Sequence, residues 1–501
     1  MPQEQYSTDM KNLKTIILAA ALLAAVPSFA EVPLKVLRGV SDTVYTQKLD
    51  AVFQTSPQAT AVVAGESVHV YKTGAFGRRV ELSEGDNAID VSVTLGGETV
   101  QQTFNVFCTQ RPPRPQPRFT LEEAQMIIDR ESYHEMEAYG LTKDYTYLQY
   151  GTGSDRLGGS KMGYVVAGIP VKIIGQDGRL FKLQLSENRW AYVDREDIEP
   201  APVKTGVFNT MNTSIYNVGK TDQITIPLPQ RLPYASWTEL DPTTIYVDIF
   251  GATNNSNWII HRRDLEMIDW VDLRQVESDV VRVVIKLKEK YSWGYSINYK
   301  NNSLVINVKH SPKPALKGMT IGLDAGHGGS QPGAIGATGL EEKDVNLDLV
   351  MLVKGMLEAK GASVVLSRDS DKTMTMTERK KNLLDGDIDL LVSIHNNAGG
   401  SPFVPMGTST YYKSIANREL AACLIDKILT LDVGNYGLTG NFNFSLCAPT
   451  EYPCALVEGM FMSSLPDEEK LSDPAFLKQL ASKVVAGIED YLAKVKASQK
   501  K

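Results

Sequence analysis

Residues 320–346 constrain the fold of this 501-residue chain more than any other stretch. Their first five residues, TIGLD, form a short apolar run that predicts a strand. A glycine-rich segment that carries His327 comes next, and apolar residues at helical spacing begin after Glu342. A strand, a glycine turn and a helix in this order predict an α/β unit, in which sites form at the carboxyl ends of strands.

The remainder of residues 316–497 continues the alternation of strands and helices. Strands are predicted at residues 363–366, 390–394, 408–412, 444–446 and 454–457. Helices are predicted at residues 376–384, 417–430 and 474–495. Alternation of this kind implies a largely parallel sheet with helices on both faces.

The residues before 316 predict three small, mostly β modules. Short alternating strands separated by glycine turns predict a sandwich at residues 31–110 and further β modules at residues 143–200 and 205–310. Residues 111–142 are predicted to be a proline-rich linker and a polar helix that begins at the capping-box pattern of Thr120 and ends near Ala138. The chain is therefore expected to be multidomain, with the α/β domain last.

The N-terminus has the layout of a secretory signal peptide within residues 1–30. A basic segment at residues 10–14 precedes an apolar run at residues 15–26 and the small-x-small sequence Ser28-Phe29-Ala30. The alternative is an apolar N-terminal helix of a cytosolic protein. No later run reaches the roughly 18 apolar residues of a membrane span, so we expect an extracytoplasmic protein without a span after cleavage.

Composition excludes one class of partner and leaves the redox state of the cysteines open. The formal net charge is −7 and the pI about 5.6, whereas a nucleic-acid binder needs a basic face. Of four cysteines, Cys447 and Cys454 flank a short turn. They could form a disulfide in an oxidising compartment or remain two buried thiols.

Two histidines and two glutamates lie at the ends of predicted elements in the α/β domain. His327 and His395 each follow an apolar strand, and Glu342 opens a helix that reaches the same edge of the sheet. Two histidines and a carboxylate, with a fourth position left for water, are the ligands of a catalytic zinc ion. Glu458 ends another apolar strand, where a carboxylate is costly to bury unless it is used or paired, and is the candidate general base.

Each of these residues also has an ordinary structural explanation. His327 could hydrogen-bond to the backbone of its glycine turn, and His395 could be a core histidine. Glu342 could simply be an acid favoured by the N-terminus of its helix, and Glu458 could pair with a nearby Lys or Arg. A site is absent only if all four explanations hold together.

The motifs of this domain resemble the zinc-dependent N-acetylmuramoyl-L-alanine amidases of the type-3 family. They are, in order, IGLDAGHGG, PGAIG, GLEEKDVNL, SRDSD, TER, LLVSIHNNA and CALVEGMFMS. The resemblance implies that His327, Glu342 and His395 bind Zn²⁺, that Glu458 is catalytic and that Asn397 contacts substrate. Family register alone selects Glu342 over Glu341.

Three residues depart from the family pattern, and one segment is short. Ala325 replaces a proline, and Met460 and Ser464 replace residues beside Glu458, where they could alter the substrate groove. The interval from His395 to Asn417 has little room for the longer, site-plugging insertion of family members under activator control.

The upstream modules resemble known modules as well. Residues 85–91 resemble late strands of bacterial immunoglobulin-like modules, residues 143–200 an SH3-like barrel, and residues 205–310 an AMIN domain, the last two found with cell-wall enzymes. Together these resemblances imply a secreted, periplasmic or wall-associated hydrolase that cuts the bond between N-acetylmuramic acid and L-alanine during wall remodelling or daughter-cell separation. The resemblance implies peptidoglycan as the partner. It leaves open whether a divisome or activator protein binds as well. The alternatives are a zinc peptidase acting within the stem peptide and a non-catalytic wall-binding scaffold.

Overall fold

The computed structural model describes residues 32–111, 134–153 and 159–499. The predicted signal peptide and the capping-box pattern at Thr120 lie outside these ranges. Within them, none of the helices combines the length and the apolar character needed to cross a membrane.

The first module is a sandwich of two sheets around its own core. Sheet orders are β1-β3-β6 and β2-β8-β7-β4-β5. Phe53 and Phe76 from one sheet share a core with Val91 and Val106 from the other, because alternate residues of each strand point inward. The strands are β1 Lys35–Arg38, β2 Thr43–Val44, β3 Lys48–Gln54, β4 Thr60–Val63, β5 Glu66–Val68, β6 Ala75–Glu81, β7 Gly85–Leu95 and β8 Glu98–Cys108.

The second module is one seven-stranded sheet in the order β11-β10-β14-β13-β12-β9-β15. Its strands are β9 His134–Thr142, β10 Thr146–Gln149, β11 Lys161–Val165, β12 Pro170–Asp177, β13 Leu180–Gln184, β14 Trp190–Asp194 and β15 Ile198–Pro200.

Strand β9 corrects the part of the predicted linker and helix that covers residues 134–142, while residues 112–133 lie outside the described ranges. Ala138, where the helix was expected to end, lies in β9 opposite Ile173 of β12. The burial of β9 follows period two, with Gly140 and Thr142 buried and Leu141 between them less so. Pairing with β12 and β15 on both sides satisfies the backbone of β9 as a strand. The second module therefore includes residues from 134 onward.

The third module packs a five-stranded sheet, β22-β17-β18-β26-β25, against a four-stranded sheet, β19-β20-β24-β23, and adds a two-stranded pair, β16-β21. Its strands are β16 Phe208–Asn209, β17 Thr213–Val218, β18 Thr221–Ile226, β19 Tyr234–Glu239, β20 Thr244–Phe250, β21 Ala252–Thr253, β22 Ile259–His261, β23 Ile268–Glu277, β24 Val280–Leu287, β25 Tyr295–Lys300 and β26 Ser303–Lys309.

The last domain is a six-stranded mixed sheet with helices on both faces. Its strands are β27 Thr320–Ala325, β28 Ser363–Leu366, β29 Leu390–Asn397, β30 Thr408–Tyr411, β31 Asn435–Thr439 and β32 Cys454–Phe461. Its helices are α1 Glu342–Ala359, α2 Met376–Asp385, α3 Arg418–Ile428, α4 Leu465–Leu471 and α5 Pro474–Ser498.

The order of this sheet, β28-β27-β29-β32-β30-β31, positions the candidate site. The first four strands are parallel, while β30 runs antiparallel to β32 and pairs in parallel with β31. Alternate residues of β29 point to opposite faces, so Val392 packs in the core with α1, α3 and α5, and Leu391 packs with Leu383 of α2. The carboxyl ends of β27, β29 and β32 therefore meet at one edge.

Two predictions in this domain are settled by the structure. Residues 444–446 are not a strand, because a 3-10 turn over Ser445–Cys447 follows Phe444. The ring of Phe444 packs on Tyr411 instead, and β31 occupies the sheet edge.

All four cysteines are free thiols, and the Cys454 thiol lies 3.4 Å from the carbonyl oxygen of Cys447.

The modules do not all stand apart from the last domain. The second module, the third module and the last domain share one continuous apolar core, in which Trp293 packs on Tyr491 of α5. The first module makes a smaller contact through Val52 and Ala75, which pack on Leu465 of α4. The last domain is thus held by β modules at more than one surface.

Candidate metal centre and active site

His327 is held at the end of β27 by an unusual backbone conformation. Its φ is +59°, the left-handed region that side chains other than glycine rarely adopt. The chain hydrogen-bonds back to β29 just before it, from the Gly326 amide to the carbonyl oxygen of Ile394 at 3.0 Å. Gly326 must be glycine because an added Cβ would lie 2.3 Å from the ring of His395. The turn thus places the rings of His327 and His395 next to each other, with their centroids 5.0 Å apart.

Glu342 is the first residue of α1 and is 3 % exposed. Its Oε2 accepts a hydrogen bond from the Ala334 amide at 2.8 Å, and its Oε1 accepts one from the Asn396 amide at 3.1 Å. Glu341 precedes it as the N-cap, and its carboxylate lies 3.2 Å from the ammonium of Lys343. The helix therefore directs Glu342, and not Glu341, toward the two histidines.

His327, Glu342 and His395 converge on one point and are called here the His–Glu–His cluster. His327 Nε2 lies 3.2 Å from Glu342 Oε2, and His395 Nδ1 lies 3.1 Å from Glu342 Oε1. One potential ligand atom from each of the three residues lies within 4.8 Å of the others. Three convergent N and O donors suit a zinc ion whose fourth position is open, so the residues fit the metal that the sequence pattern predicts.

The charges of the cluster reinforce one another. Burial by itself would raise the pKa of Glu342, but hydrogen bonds from His327 and His395 outweigh it and hold that pKa well below its usual value. Burial would lower the pKa of His395, yet its hydrogen bond to Glu342 and the charge of Glu458 raise it. Glu342 is thus an ionised carboxylate, which is the form that binds a cation.

Glu458 ends the apolar part of β32 and lies directly opposite His395 of β29 in the parallel ladder. It is 7 % exposed and lines the same cavity as the cluster. Its position between His395 on one side and Ser409 of β30 on the other fixes its backbone within the sheet. A carboxylate held so firmly beside the cluster can take and return a proton at one place.

Asn397, the predicted substrate contact, also lines this cavity. Its side-chain oxygen accepts a hydrogen bond from the Ala398 amide at 2.8 Å, which orients the amide group at the rim. The cavity has a volume of about 900 Å³ and opens beside the cluster.

A buried ion pair that sequence reasoning did not identify supports the His327 turn. Arg379 and Asp324 are each 1 % exposed and lie 2.7 Å apart, and Ser393 donates a hydrogen bond to Asp324 at 2.6 Å. Burial would raise the pKa of Asp324, but Arg379 holds it below its usual value. Arg379 also donates to the carbonyl oxygens of Ala325 and His327. The sequence signal that could have identified Arg379 is the TER motif, which contains it.

A second buried arginine and a pair of asparagines complete this support. Arg368, from the SRDSD motif, donates to the carbonyl oxygens of Ala325 at 2.9 Å and Gly326 at 3.0 Å. Asn346 donates to Glu342 at 3.2 Å and accepts from Asn396 at 2.9 Å. The turn that carries His327 and the carboxylate of Glu342 are therefore held by groups that are themselves hydrogen-bonded. The ligands of metal sites are generally supported in this way.

The three residues that depart from the family pattern are not among those that line the cavity. The Ala325 carbonyl serves both arginines. Met460 packs in a core cluster with Val345, and the Ser464 hydroxyl donates to the carbonyl oxygen of Val404 at 2.9 Å. These two side chains point into the fold, so the expectation that they could alter the groove is not supported.

The segment between His395 and Asn417 is fully described. It forms a loop, strand β30 and the beginning of a 3-10 turn, without an α-helix over the cavity.

Comparison with known proteins identifies the family. Residues 321–490 match the family described as N-acetylmuramoyl-L-alanine amidase. The chain is 33 % identical to the uncharacterised protein YqiI of Bacillus subtilis over 181 residues, 35 % of this chain and 86 % of YqiI. It is 33 % identical to the amidase LytC of the same organism over 188 residues, 37 % of this chain and only 38 % of LytC. With the amidase AmiC of Neisseria meningitidis, identity is 27 % over 391 residues, 58 % of this chain and 93 % of AmiC.

These matches define a hydrolase domain over residues 321–490, the range that contains the His–Glu–His cluster. The chain belongs to the N-acetylmuramoyl-L-alanine amidase family, since it is also 31 % identical to the germination-specific N-acetylmuramoyl-L-alanine amidase of Bacillus subtilis over 81 % of that protein. Its catalytic domain is an amidase of the bond between N-acetylmuramic acid and L-alanine in peptidoglycan.

Proposed function

We propose that the chain is a secreted zinc-dependent amidase in which His327, Glu342 and His395 bind the metal and Glu458 is the general base. The convergence of three donor atoms within 4.8 Å is the observation that carries this proposal. Bound there, zinc supplies Lewis acidity and makes a water nucleophilic at neutral pH.

Glu458 performs the proton transfers of the reaction. Its carboxylate takes a proton from the attacking water as the new C–O bond forms at the lactyl carbonyl of N-acetylmuramic acid. The protonated Glu458 then gives that proton to the departing α-amine of L-alanine as the C–N bond breaks. The carboxylate is restored, the glycan keeps a free lactyl carboxylate and the stem peptide leaves with a free N-terminus.

The remaining residues of the cavity orient and bind. Asn397, at the rim, is proposed to hydrogen-bond the substrate amide. Arg379 and Arg368 are positioning residues, because they hold the carbonyls of the His327 turn.

The proposed setting is the cell wall, during remodelling or daughter-cell separation. Residues 1–30 would direct export, and the immunoglobulin-like, SH3-like and AMIN-like modules would hold the catalytic domain near the wall. An activator protein is not required by the proposal, since no α-helix from residues 396–414 covers the cavity.

The test compares Glu458→Gln with the wild type on purified sacculi. We expect the variant to keep its zinc and its fold and to lose at least about a hundredfold in rate, since a general base contributes about 10²–10⁴-fold. Glu358→Gln, an exposed change on α1, is the matched control and should behave as the wild type.

Mass spectrometry of the products separates the proposal from its alternatives. Free stem peptides with intact glycan support the amidase. Shortened stems that remain on the glycan would instead identify a peptidase, and the absence of any release with zinc bound would leave a scaffold.

A further inference from the structure

A second cavity, of about 340 Å³, lies where the second module, the third module and the catalytic domain meet. Its walls combine aromatic rings with charged groups, among them Tyr147, Tyr164, Trp237, Lys161, Lys413 and Glu451. Nothing in the proposed mechanism uses this cavity.

Lys161 lines both this cavity and the active-site cavity. It is the first residue of β11, so the second module supplies part of the wall of the active site. Asn443 of the catalytic domain fixes it there: the Lys161 ammonium donates to the Asn443 carbonyl at 2.8 Å, and the Asn443 amide donates to the Gly159 carbonyl at 2.9 Å. The two cavities are thus joined at a lysine held between two modules.

Two more lysines lie beside Lys161. The Lys413 ammonium donates to the side-chain oxygen of Asn443 at 3.2 Å, and buried Lys380 contacts the hydroxyl of Tyr147. Among the described residues, none of the three forms an ion pair with a carboxylate. Lys161 and Lys413 with Asn443 between them are called here the basic junction.

Glu451, the carboxylate in this neighbourhood, opposes by its charge the lowering of the Lys380 pKa that burial causes, but it forms no ion pair with Lys161 or Lys413. It accepts hydrogen bonds from the hydroxyl of Tyr164 and the amide of Thr450, and burial raises its pKa. Burial also lowers the pKa of Lys161, and burial and the proximity of Lys161 lower that of Lys413 to about 8. Half-buried ammonium groups without a counter-ion are costly, which indicates that an anionic ligand belongs there.

We propose that the basic junction binds the first free carboxylate of the stem peptide beyond the scissile bond. The inference rests on the proposed function, which brings the muramoyl–alanine bond to the neighbouring His–Glu–His cluster. The sugar half of the substrate is neutral, because its lactyl carboxyl is consumed in the amide. The anionic groups therefore belong to the peptide, which enters from the side where Lys161 joins the two cavities.

The test uses muropeptides whose second residue carries either the free α-carboxylate or its carboxamide. For the wild-type full chain with zinc, kcat/KM should favour the free acid by about tenfold, the size of one or two charge-assisted hydrogen bonds. In Lys161→Gln and Lys413→Gln this ratio should fall toward one. Lys172→Gln, a surface lysine of the same module that lies 3.7 Å from Glu137, should keep the wild-type ratio.

A binding measurement keeps the inference separate from the activity. Calorimetry of the zinc-free full chain with the tripeptide L-alanyl-γ-D-glutamyl-L-lysine and its α-carboxamide should show the same preference, lost in Lys161→Gln. Unfolding curves verify that each variant is folded. A wild-type ratio near one in both assays, or a ratio kept by folded Lys161→Gln, would overturn the inference. Preferential binding without any cleavage would count against the proposed function alone.

Discussion

The His–Glu–His cluster and the basic junction are neighbouring polar sites with opposite construction. The cluster lies at strand ends within one domain, and buried groups such as Arg379, Asp324 and Asn346 hold it from behind. The basic junction lies between two modules and depends on a few hydrogen bonds around Asn443. The difference teaches that the proposed metal centre is held within a single fold, whereas the proposed carboxylate site depends on a contact between two modules.

The largest effect should come from breaking the cluster itself. His395→Ala removes one of three donors, so we expect zinc to be lost from the dialysed protein and activity to fall at least about a thousandfold, since the metal provides several kcal/mol of transition-state stabilisation. Metal analysis and sacculus digestion measure the two effects. His310→Ala, in which the histidine lies 2.9 Å from Asp222 in the third module, should keep both zinc and activity.

The next effect tests whether the support behind the cluster is structural. Arg379→Met leaves Asp324 as a buried charge without its partner, and we expect the free energy of unfolding to fall by about 3–5 kcal/mol. Urea denaturation measures this change. Arg418→Met, on the exposed first turn of α3, should stay within about 0.5 kcal/mol of the wild type. Equal stability of both variants would contradict the role given to the ion pair.

A smaller effect should follow from crowding the cluster without removing a donor. In Gly326→Ala the added Cβ meets the ring of His395, so we expect zinc affinity to fall by about ten- to a hundredfold, as for disturbed ligand shells elsewhere. Competition with a chelator measures it. Gly355→Ala is the matched control, because its Cβ meets nothing within 4 Å and lies in α1, where alanine is favoured.

The smallest effect concerns the charge beside the basic junction. Burial lowers the pKa of Lys380 in the folded protein to about 8, below the value of about 10.4 for an unfolded lysine. Between these values the unfolded chain binds more protons, so this group makes the folded state more stable as pH rises from about 8 to 10.

The measurement is the free energy of unfolding of wild type and Lys380→Met at pH 7, 8, 9 and 10. Relative to the variant, the wild type should gain stability with pH, by at most about 1.4 kcal/mol per unit. Lys381→Met changes the exposed neighbour of Lys380. Its free energy of unfolding should depend on pH in the same way as that of the wild type. A flat difference for Lys380→Met would show that its ammonium is solvated after all.

Local pattern was sufficient to predict the residues that meet in the cluster. His327, His395 and Glu458 each follow a run of apolar residues in the sequence, and Glu342 begins a helix, so parallel strands followed by that helix bring them to one edge. Pattern was also sufficient for strands β27, β29 and β32. The choice of Glu342 over Glu341 required family register, and the structure now gives it a physical reason, the direction of the first turn of α1.

Contacts between distant segments were not predictable in the same way. Lys161 lies 282 residues from Asn443, and no periodicity relates the two. Residues 134–142 were predicted to belong to the linker and helix, whereas they form strand β9, whose pairing with β12 is not visible in the local pattern. Residues 444–446 were predicted to be a strand, whereas Ser445–Cys447 form a 3-10 turn and the ring of Phe444 packs on Tyr411.

The continuous core behind Trp293 and Tyr491 has a consequence for how the molecule comes apart. Segments that share buried contacts tend to lose their structure together, and those with separate cores do so independently. The second module, the third module and the catalytic domain should therefore melt as one cooperative unit, while the first module, whose core is its own, melts separately. A calorimetric trace with two transitions instead of four would show that the catalytic domain and the second and third modules unfold as one cooperative unit.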